Sequence, residues 1–588
     1  MYIKNICLLL LCIITLASCE KYLEKDPLDK LTSDQAFSNE SNLQLYVNGF
    51  YTMLPNANQI YQSELMSDIT VRKEVYPYLL TGFTPQSAII QQAAPWTWTN
   101  LRNINYFIEN NKNAGIPAAT KAHYTGIARL FRAYFYYNAV RTYGDVPWYG
   151  KTLGVDDPDL YKPRDSRALV MDSVLADLDY AVANIRDTKD ATSSQVTRSV
   201  ALAYKSRICL FEASFRKYHN LFPTTTAKWF GEAASAADIL IKGGKYTLQK
   251  TTNSDIDYRT LFTSENPVAS EVILATVYNN TLRKWHGSNL WYNSLTAGDR
   301  LGLNKRFVNS YLNLNGTRYT DQAGYATQEF QQEVKNRDKR LKQTVRTPEY
   351  KRTDGTQSLP DFIVTTTGYH ILKFSLDDKY FDTRTEAYNS LPIIRYGEVL
   401  LNYAEAKAEL GPLSIADWNQ TIGALRSRAG ITNTAMPTSA DAYLTANFYP
   451  GITDAVLLEV RRERAVELAA EGFRYDDLLR WKLGDNLLKP FDGIYVPAKG
   501  QILDISDNGS SGAGDIAFVD VLPPVAQRVA GVTYVVLDNT SFKLSNGSSG
   551  NLQWLSNIVR VWDQKRYLYP LPPNEIIQNP KLVQNPNW

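Results

Sequence analysis

Residues 461–481, RRERAVELAAEGFRYDDLLRW, carry ten charged side chains in twenty-one positions. Glu463, Glu467 and Glu471 recur at intervals of four, which on a helix stacks them on one face where like charges repel. A folded chain tolerates such a stripe when cations from other segments answer it, or when the carboxylates perform chemistry. After Glu471-Gly472 the chain turns into a second helix, and its Arg474 and Arg480 are expected to return toward the acids. Arg461, Arg462 and Arg464 are free to reach carboxylates elsewhere, Asp476 and Asp477 among them. Partly buried arginine–carboxylate networks fix register more reliably than they add stability. The stretch reads as a structural clamp, not a catalytic centre.

Outward from the clamp, helical periodicity dominates two blocks. Ile127, Leu130, Phe131, Tyr134, Phe135 and Ala139 recur at three and four and mark one apolar face. Val170, Val174, Leu178 and Ala181 do the same, as do Val200, Ala203, Tyr204, Ile208, Phe211 and Phe215. Residues 228–242 form a further helix stopped by Gly243-Gly244. The second block opens near Arg395 with Val399, Tyr403, Ala406 and Leu410, closed by Gly411-Pro412. Helices follow at about 415–429 and 453–484. The pairing, with small residues where partners cross, is similar to tetratricopeptide hairpins with degenerate repeats; a generic helical bundle is the alternative. Residues 245–394 and 490–565 are rich in Thr, Asn, Gly and Tyr, and only short strands such as 271–277 and 532–537 stand out. Loops of this length on a helical scaffold are usually functional.

The start of the chain reads as a leader. Lys4 precedes a short apolar run, Cys7 to Leu16, too short to span a bilayer as a mature helix. Leu16-Ala17-Ser18-Cys19 resembles a bacterial lipobox, which implies cleavage before Cys19 and acylation of that residue; an ordinary secretory signal is the alternative. Residues 1–18 are then a signal peptide and 19–30 a lipidated tether. Of four cysteines only Cys209 would remain unmodified in the mature chain, so an intrachain disulfide or thiolate metal cluster is excluded. A net charge of +3 with interspersed signs gives no basic stripe for nucleic acid. His123, His219, His286 and His370 form no close ligand pair, and no phosphate loop, dinucleotide fingerprint or nucleophile elbow is present. The expectation is a non-enzymatic protein without a recognisable metal-ligand set.

The 461–481 segment resembles the hallmark of the SusD/RagB family, outer-membrane glycan-binding lipoproteins of Bacteroidetes. Further similarities run in the family's order: CEKYLEKDP at 19–27, ARLFRAYFYYNAVRTYGDVPW at 128–148, then LADLDYAV, IIRYGEVLLNYAEAKAELG and ALRSRAGI, and finally YLYPLPPNEIIQNPKLVQNPNW at 567–588. Trp588 stands where an aromatic after glycine is more usual. The resemblance implies a mainly α fold, a tetratricopeptide-like scaffold of helical pairs with a loop-rich, minor-β ligand face. The body would span 31–588, with scaffold at about 31–244 and 395–489, insertions at about 245–394 and 490–565, and a terminal motif at 566–588. It further implies an oligosaccharide ligand, a partner SusC-like TonB-dependent transporter, anchorage in outer-membrane lipid through Cys19, and no required cofactor. Peptide or glycopeptide cargo, or a transporter lid with little glycan affinity of its own, are the alternatives.

A pyranose offers an apolar CH face to aromatic rings and a polar rim to Asp, Asn and Arg. Two loop segments carry that mixture. One holds Trp96, Trp98 and Asn100 just before a helix beginning near Leu101. The other holds Trp285, Trp291 and Tyr292. Trp96 and Trp98 share a side if extended, and one of them is the natural packing anchor for the helix that follows. Trp291 and Tyr292 point oppositely if extended, so at most one is exposed. Asp68 and Arg72, in an early loop, either add polar contacts or form a plain salt bridge.

Overall fold

The computed structural model describes residues 37–87 and 96–588. The expected signal peptide, Cys19 and the expected tether lie outside the described residues, as do residues 88–95. The chain is mainly helical, with α1 (Glu40–Asn48), α2 (Thr99–Asn110), α3 (Ala118–Tyr143), α4 (Arg167–Asn184), α5 (Arg198–Tyr218) and α6 (Thr226–Lys242) in its first part. Ser166 and Thr197 begin α4 and α5 by accepting the backbone N–H of Leu169 and Val200, the usual service of a hydroxyl at a helix start. Successive helices pack on one another from α2 through α6. After the insertion, α7 (Tyr396–Leu410) packs on α6, and α8 (Ala455–Glu467) packs on α7. Then α9 (Arg474–Arg480) docks on α5, and α10 (Pro573–Gln578) lies near the C-terminus. These are the tetratricopeptide-like pairs of the scaffold.

Four small sheets carry the rest. Strands β1 (Thr70–Val71), β2 (Val272–Thr276), β3 (Gly302–Leu303) and β4 (Leu391–Arg395) form two antiparallel pairs, β1 with β3 and β2 with β4. A second group comprises β5 (Asp492–Val496), β6 (Ile502–Leu503), β7 (Ile516–Val519), β8 (Thr533–Val536), β9 (Phe542–Leu544) and β10 (Gly550–Trp554). Their orders are β5-β10-β9, all antiparallel, and β6-β7-β8, in which β8 runs parallel to β7. One large apolar core lies among the helices and a second beneath the insertion and the sheets.

The clamp sits where these cores meet; Glu463 and Glu467 of the acidic stripe are buried, and Glu471 keeps its side chain 7% exposed. Its partners come from elsewhere in the chain. Arg395, at the end of β4, reaches Glu467 at 2.5 Å and Glu471 at 2.7 Å, and Arg340 in the insertion reaches Glu467 at 2.8 Å. Arg426 meets Glu463 at 2.9 Å, Lys373 meets Glu471 at 2.7 Å, and Arg428 pairs with Glu467. Arg464 does pair with Asp477, at 2.9 Å. The expected return of Arg474 and Arg480 to the stripe does not occur. Arg474 pairs with Asp68 at 2.6 Å and Arg480 with Glu405 and Asp477, while Asp476 takes Arg141. The cause is the turn at Gly472, whose φ of +83° swings α9 away from the stripe. A Cβ there would also sit 2.4 Å from the Cβ of Ser63.

Burial alone would raise the Glu467 carboxyl, but Arg428, Arg395 and Arg340 hold it well below its ordinary range. Removing it takes a carboxylate partner from three buried cations at once, leaving them to share Glu271, Glu463, Glu471 and Asp338. Glu467→Ala is expected to cost about 3–5 kcal/mol in urea unfolding, and Arg395→Ala a similar amount, with the double variant costing less than the sum.

Glu64 behaves in the opposite sense. It accepts the Gly472 N–H at 3.1 Å, yet its other oxygen has no partner. Burial pushes its carboxyl up to about 7, against the pull of that N–H and of Arg474 and Lys373. The folded state therefore keeps a proton that the unfolded chain releases near 4.5, so stability falls as pH rises between 4.5 and about 7. The loss is about 3 kcal/mol at most. Glu64→Gln is expected to raise the unfolding midpoint at pH 8 and to change it little at pH 4.5, as read by denaturant titration at the two pH values.

Candidate functional site

Trp98 immediately precedes α2, and Trp96 lies two residues before it. Their rings meet edge to face, with centroids 5.2 Å apart and planes at 80°. Trp96 also abuts Tyr143 of α3 at 5.0 Å, and Trp98 abuts Phe135 of α3 at 5.5 Å and Tyr149 at 5.4 Å. Both tryptophans are thus half-buried, anchored on α3 and lining a groove of about 380 Å³. Leu153, Leu160, Tyr161 and Lys151 line it further, together with Glu575 and Gln578 of α10.

The groove is held by side chains beneath it. Asn105 of α2 donates to the carbonyls of Tyr149 at 2.9 Å and Lys151 at 3.1 Å. Its own oxygen accepts from Arg132 at 3.0 Å, and Arg132 grips Asp177 through two bonds of 2.7 and 2.8 Å. Arg102 donates to the Leu153 carbonyl. The 149–153 segment is therefore fixed to α2 and α3, which keeps the groove preformed. Tyr161 is 55 % exposed. Glu575 makes no ion pair among the described residues, and partial burial raises its carboxyl. Aromatic edges with a few unpaired polar groups suit a ligand that is apolar on one face and hydroxylated at its rim.

The other residues expected from sequence fall elsewhere. Asn100 is exposed on the first turn of α2, which begins at Thr99 rather than near Leu101, and it does not line the groove. Trp285 is half-buried and donates its indole N–H to Asn280 at 3.1 Å. Trp291 and Tyr292 are on a short helix, Ser288–Asn293, not an extended loop. Tyr292 is buried and donates to the Tyr61 carbonyl at 2.7 Å, which removes it from ligand contact. Trp291 packs on Tyr61 with its indole nitrogen buried. Asp68 is buried between Arg474 and Arg306 and belongs to the interior, while Arg72 pairs with Asp299 at 2.6 Å. The two neither pair with each other nor share a site.

Sequence reasoning missed Tyr149, Tyr161, Glu575 and Gln578. The aromatic cluster in TYGDVPWYG was a usable signal for Tyr149; nothing local points to residues of α10. A second surface cluster was also missed: the Arg300 guanidinium lies 5.0 Å from the Trp554 ring, and the Trp554 indole donates to the Lys73 carbonyl at 3.1 Å.

A family model described as the SusD family matches residues 270–588, and a second, described as starch-binding associating with outer membrane, matches residues 37–204. The chain belongs to the SusD family. SusD-family membership brings together proteins that bind carbohydrate at the outer membrane. Among relatives, SusD-like protein P38 of Formosa agariphila is 24% identical over 518 residues, covering 84% of this chain and 94% of P38. A SusD-like protein from Bacteroides fragilis superposes with a TM-score of 0.68 at 19% identity, covering 96% of this chain and all of the other. A SusD-like carbohydrate binding protein from the same species gives 0.67 at 19% identity, covering 93% of this chain and 99% of the other. Among the described residues of this SusD-family chain, no helix is long and apolar enough to cross a membrane.

The corrected placements separate interior from surface. Asp68→Ala is expected to destabilise by about 3–5 kcal/mol, since it leaves Arg474 and Arg306 unpaired. Asn100→Ala is expected to stay within about 0.5 kcal/mol. Thermal and urea unfolding of the two variants beside the parent check both.

Proposed function

We propose that this SusD-family protein binds oligosaccharides at the cell surface and delivers them to a partner SusC-like TonB-dependent transporter. In this reading it is held in outer-membrane lipid through Cys19, carries out no catalysis and uses no cofactor. The observation that carries the reading is the groove between α2, the 149–161 segment and α10. There Trp96, Trp98, Tyr149 and Tyr161 offer ring faces and edges beside unpaired Glu575 and Gln578. The two tryptophans stand at 80°, so they do not form a flat shelf. A sugar would stack on one ring at a time and turn its hydroxyls toward α10.

A second reading has its own observation. Val155, Ile577 and Val583 beside the groove are 91 %, 75 % and 70 % exposed, an apolar rim of the kind that marks protein contacts. On that reading the same edge docks the transporter, and the protein serves as its lid.

Calorimetric titration against a broad oligosaccharide panel separates the two. Saturable binding to one glycan class, weakened about tenfold or more by Trp98→Ala and by Tyr161→Ala, is expected for the groove. Silence across the panel with a folded protein would sink the glycan reading and leave the lid.

A further inference from the structure

Away from the tryptophan groove, a cleft of about 570 Å³ opens in the 313–336 segment of the insertion, and carboxamides dominate its lining. Asn313, Gln322, Gln328, Gln332 and Asn336 contribute side chains, with the phenol of Tyr319 among them. Lys335 is the one charged residue of this lining, and it is already neutralised by Asp507 at 2.7 Å.

The scaffold beneath these amides is held in place. The Asn313 amide donates to the Thr317 hydroxyl at 2.9 Å, and the Leu314 N–H donates to the Asn336 carbonyl at 2.7 Å. Gly316, with φ of +85°, lets the turn lie against Asn433, where a Cβ would sit 2.2 Å from the carbonyl oxygen. The Tyr319 ring is buried under the Arg337 guanidinium at 3.6 Å, and its hydroxyl donates to the Gln328 carbonyl oxygen at 2.9 Å. That bond fixes which end of the Gln328 amide remains to donate outward. Gln322, Gln332 and Asn336 are exposed, and none of their side chains makes a hydrogen bond within the described protein.

We infer that this cleft is a second ligand site, and that it takes a neutral, hydroxyl-rich segment of a saccharide. The carboxamides of Gln322, Gln332 and Asn336 each present an acceptor oxygen and two donor N–H groups, which matches hydroxyls that are themselves both. A cleft without a free cation gives no counter-charge for carboxylate or sulfate, and its aromatic ring is covered, so it reads hydroxyl pattern rather than stacking. The volume admits more than one sugar ring, in keeping with the size of small-ligand pockets. The inference rests on the glycan-binding reading above but uses none of the tryptophan groove's residues.

The test is calorimetry on the full-length protein in a detergent without a sugar headgroup. The probes are maltohexaose, xylohexaose and mannohexaose as neutral chains, and hexagalacturonate as an acidic one. The expected result is a neutral hexasaccharide for which the double variant Gln322→Ala/Gln332→Ala weakens one binding event about tenfold or more, while Trp98→Ala leaves that event in place. Both glutamines are exposed, so the double variant keeps the parent's unfolding temperature. Loss of binding in the glutamine variant but not in Trp98→Ala supports the cleft and sinks the tryptophan groove. Loss only in Trp98→Ala overturns the cleft and leaves the groove standing. Hexagalacturonate competing as well as the neutral sugars at the glutamine-dependent event, or no binding of any neutral probe, also overturns it.

Discussion

One buried carboxylate, Glu467, is the point at which three distant parts of the chain meet. Its oxygens take Arg395 from the end of β4, Arg340 from the insertion and Arg428 from the helical turn before residue 430. Its backbone carbonyl accepts from Tyr258 at 2.5 Å and from Arg395 at 2.8 Å. Taking these ions out of water costs several kcal/mol each, so the arrangement is tolerable only because every charge finds an opposite one. That condition is a constraint on geometry more than a source of stability. A shift of β4 by one residue, or of the insertion by a few ångströms, would leave a naked charge in the interior.

The same constraint reaches the candidate site through a short chain of contacts. Asp476, just past the Gly472 turn, binds Arg141 of α3 at 2.7 Å. Further along α3, Phe135 and Tyr143 carry the rings of Trp98 and Trp96. The C-terminal segment then closes over this end of the helix. The Tyr569 N–H donates to the Thr142 carbonyl at 2.7 Å, and Asn585 donates to Tyr143 at 3.0 Å, which brings α10 beside the tryptophans. The groove is therefore built from residues at the start of α2, from the segment that follows α3 and from the very end of the chain, each placed by contacts within the protein rather than by the ligand.

This explains what the sequence could and could not disclose. The helices were legible because burial of one face imposes a period: α4 and α5 bury every residue that the period names, while on α3 Ile127, Leu130 and Phe131 are buried and Tyr134, Phe135 and Ala139 only half-buried. The clamp was legible as a network because a stripe of acids demands cations. The partners were not, because spacing along a helix says which face a charge occupies and nothing about which distant segment will meet it. Asp68 and Arg72 looked like neighbours at four residues. Between them lies the short strand β1, Thr70–Val71, and they turn to different partners. Trp291 and Tyr292 would point oppositely in an extended loop; the six-residue helix 288–293 sets them about 100° apart instead and sends Tyr292 inward. Tyr161, Glu575 and Gln578 gave no local sign, since their site exists only after the C-terminus has folded back.

As proposed, the two clefts would divide recognition in a way that follows from their chemistry. Ring faces gain from any pyranose with an exposed CH surface, so the tryptophan groove would supply affinity with little discrimination among sugars. Amides gain only where hydroxyls stand at the right positions, and a missing hydroxyl leaves a donor or acceptor unpaired, so the carboxamide cleft would discriminate while binding weakly by itself. Neither surface is part of the clamp. A chain can therefore superpose on a relative with a TM-score of 0.68 at 19% identity while its grooves carry different side chains. The buried charges dictate where the loops begin and end; they impose nothing on what the loops present.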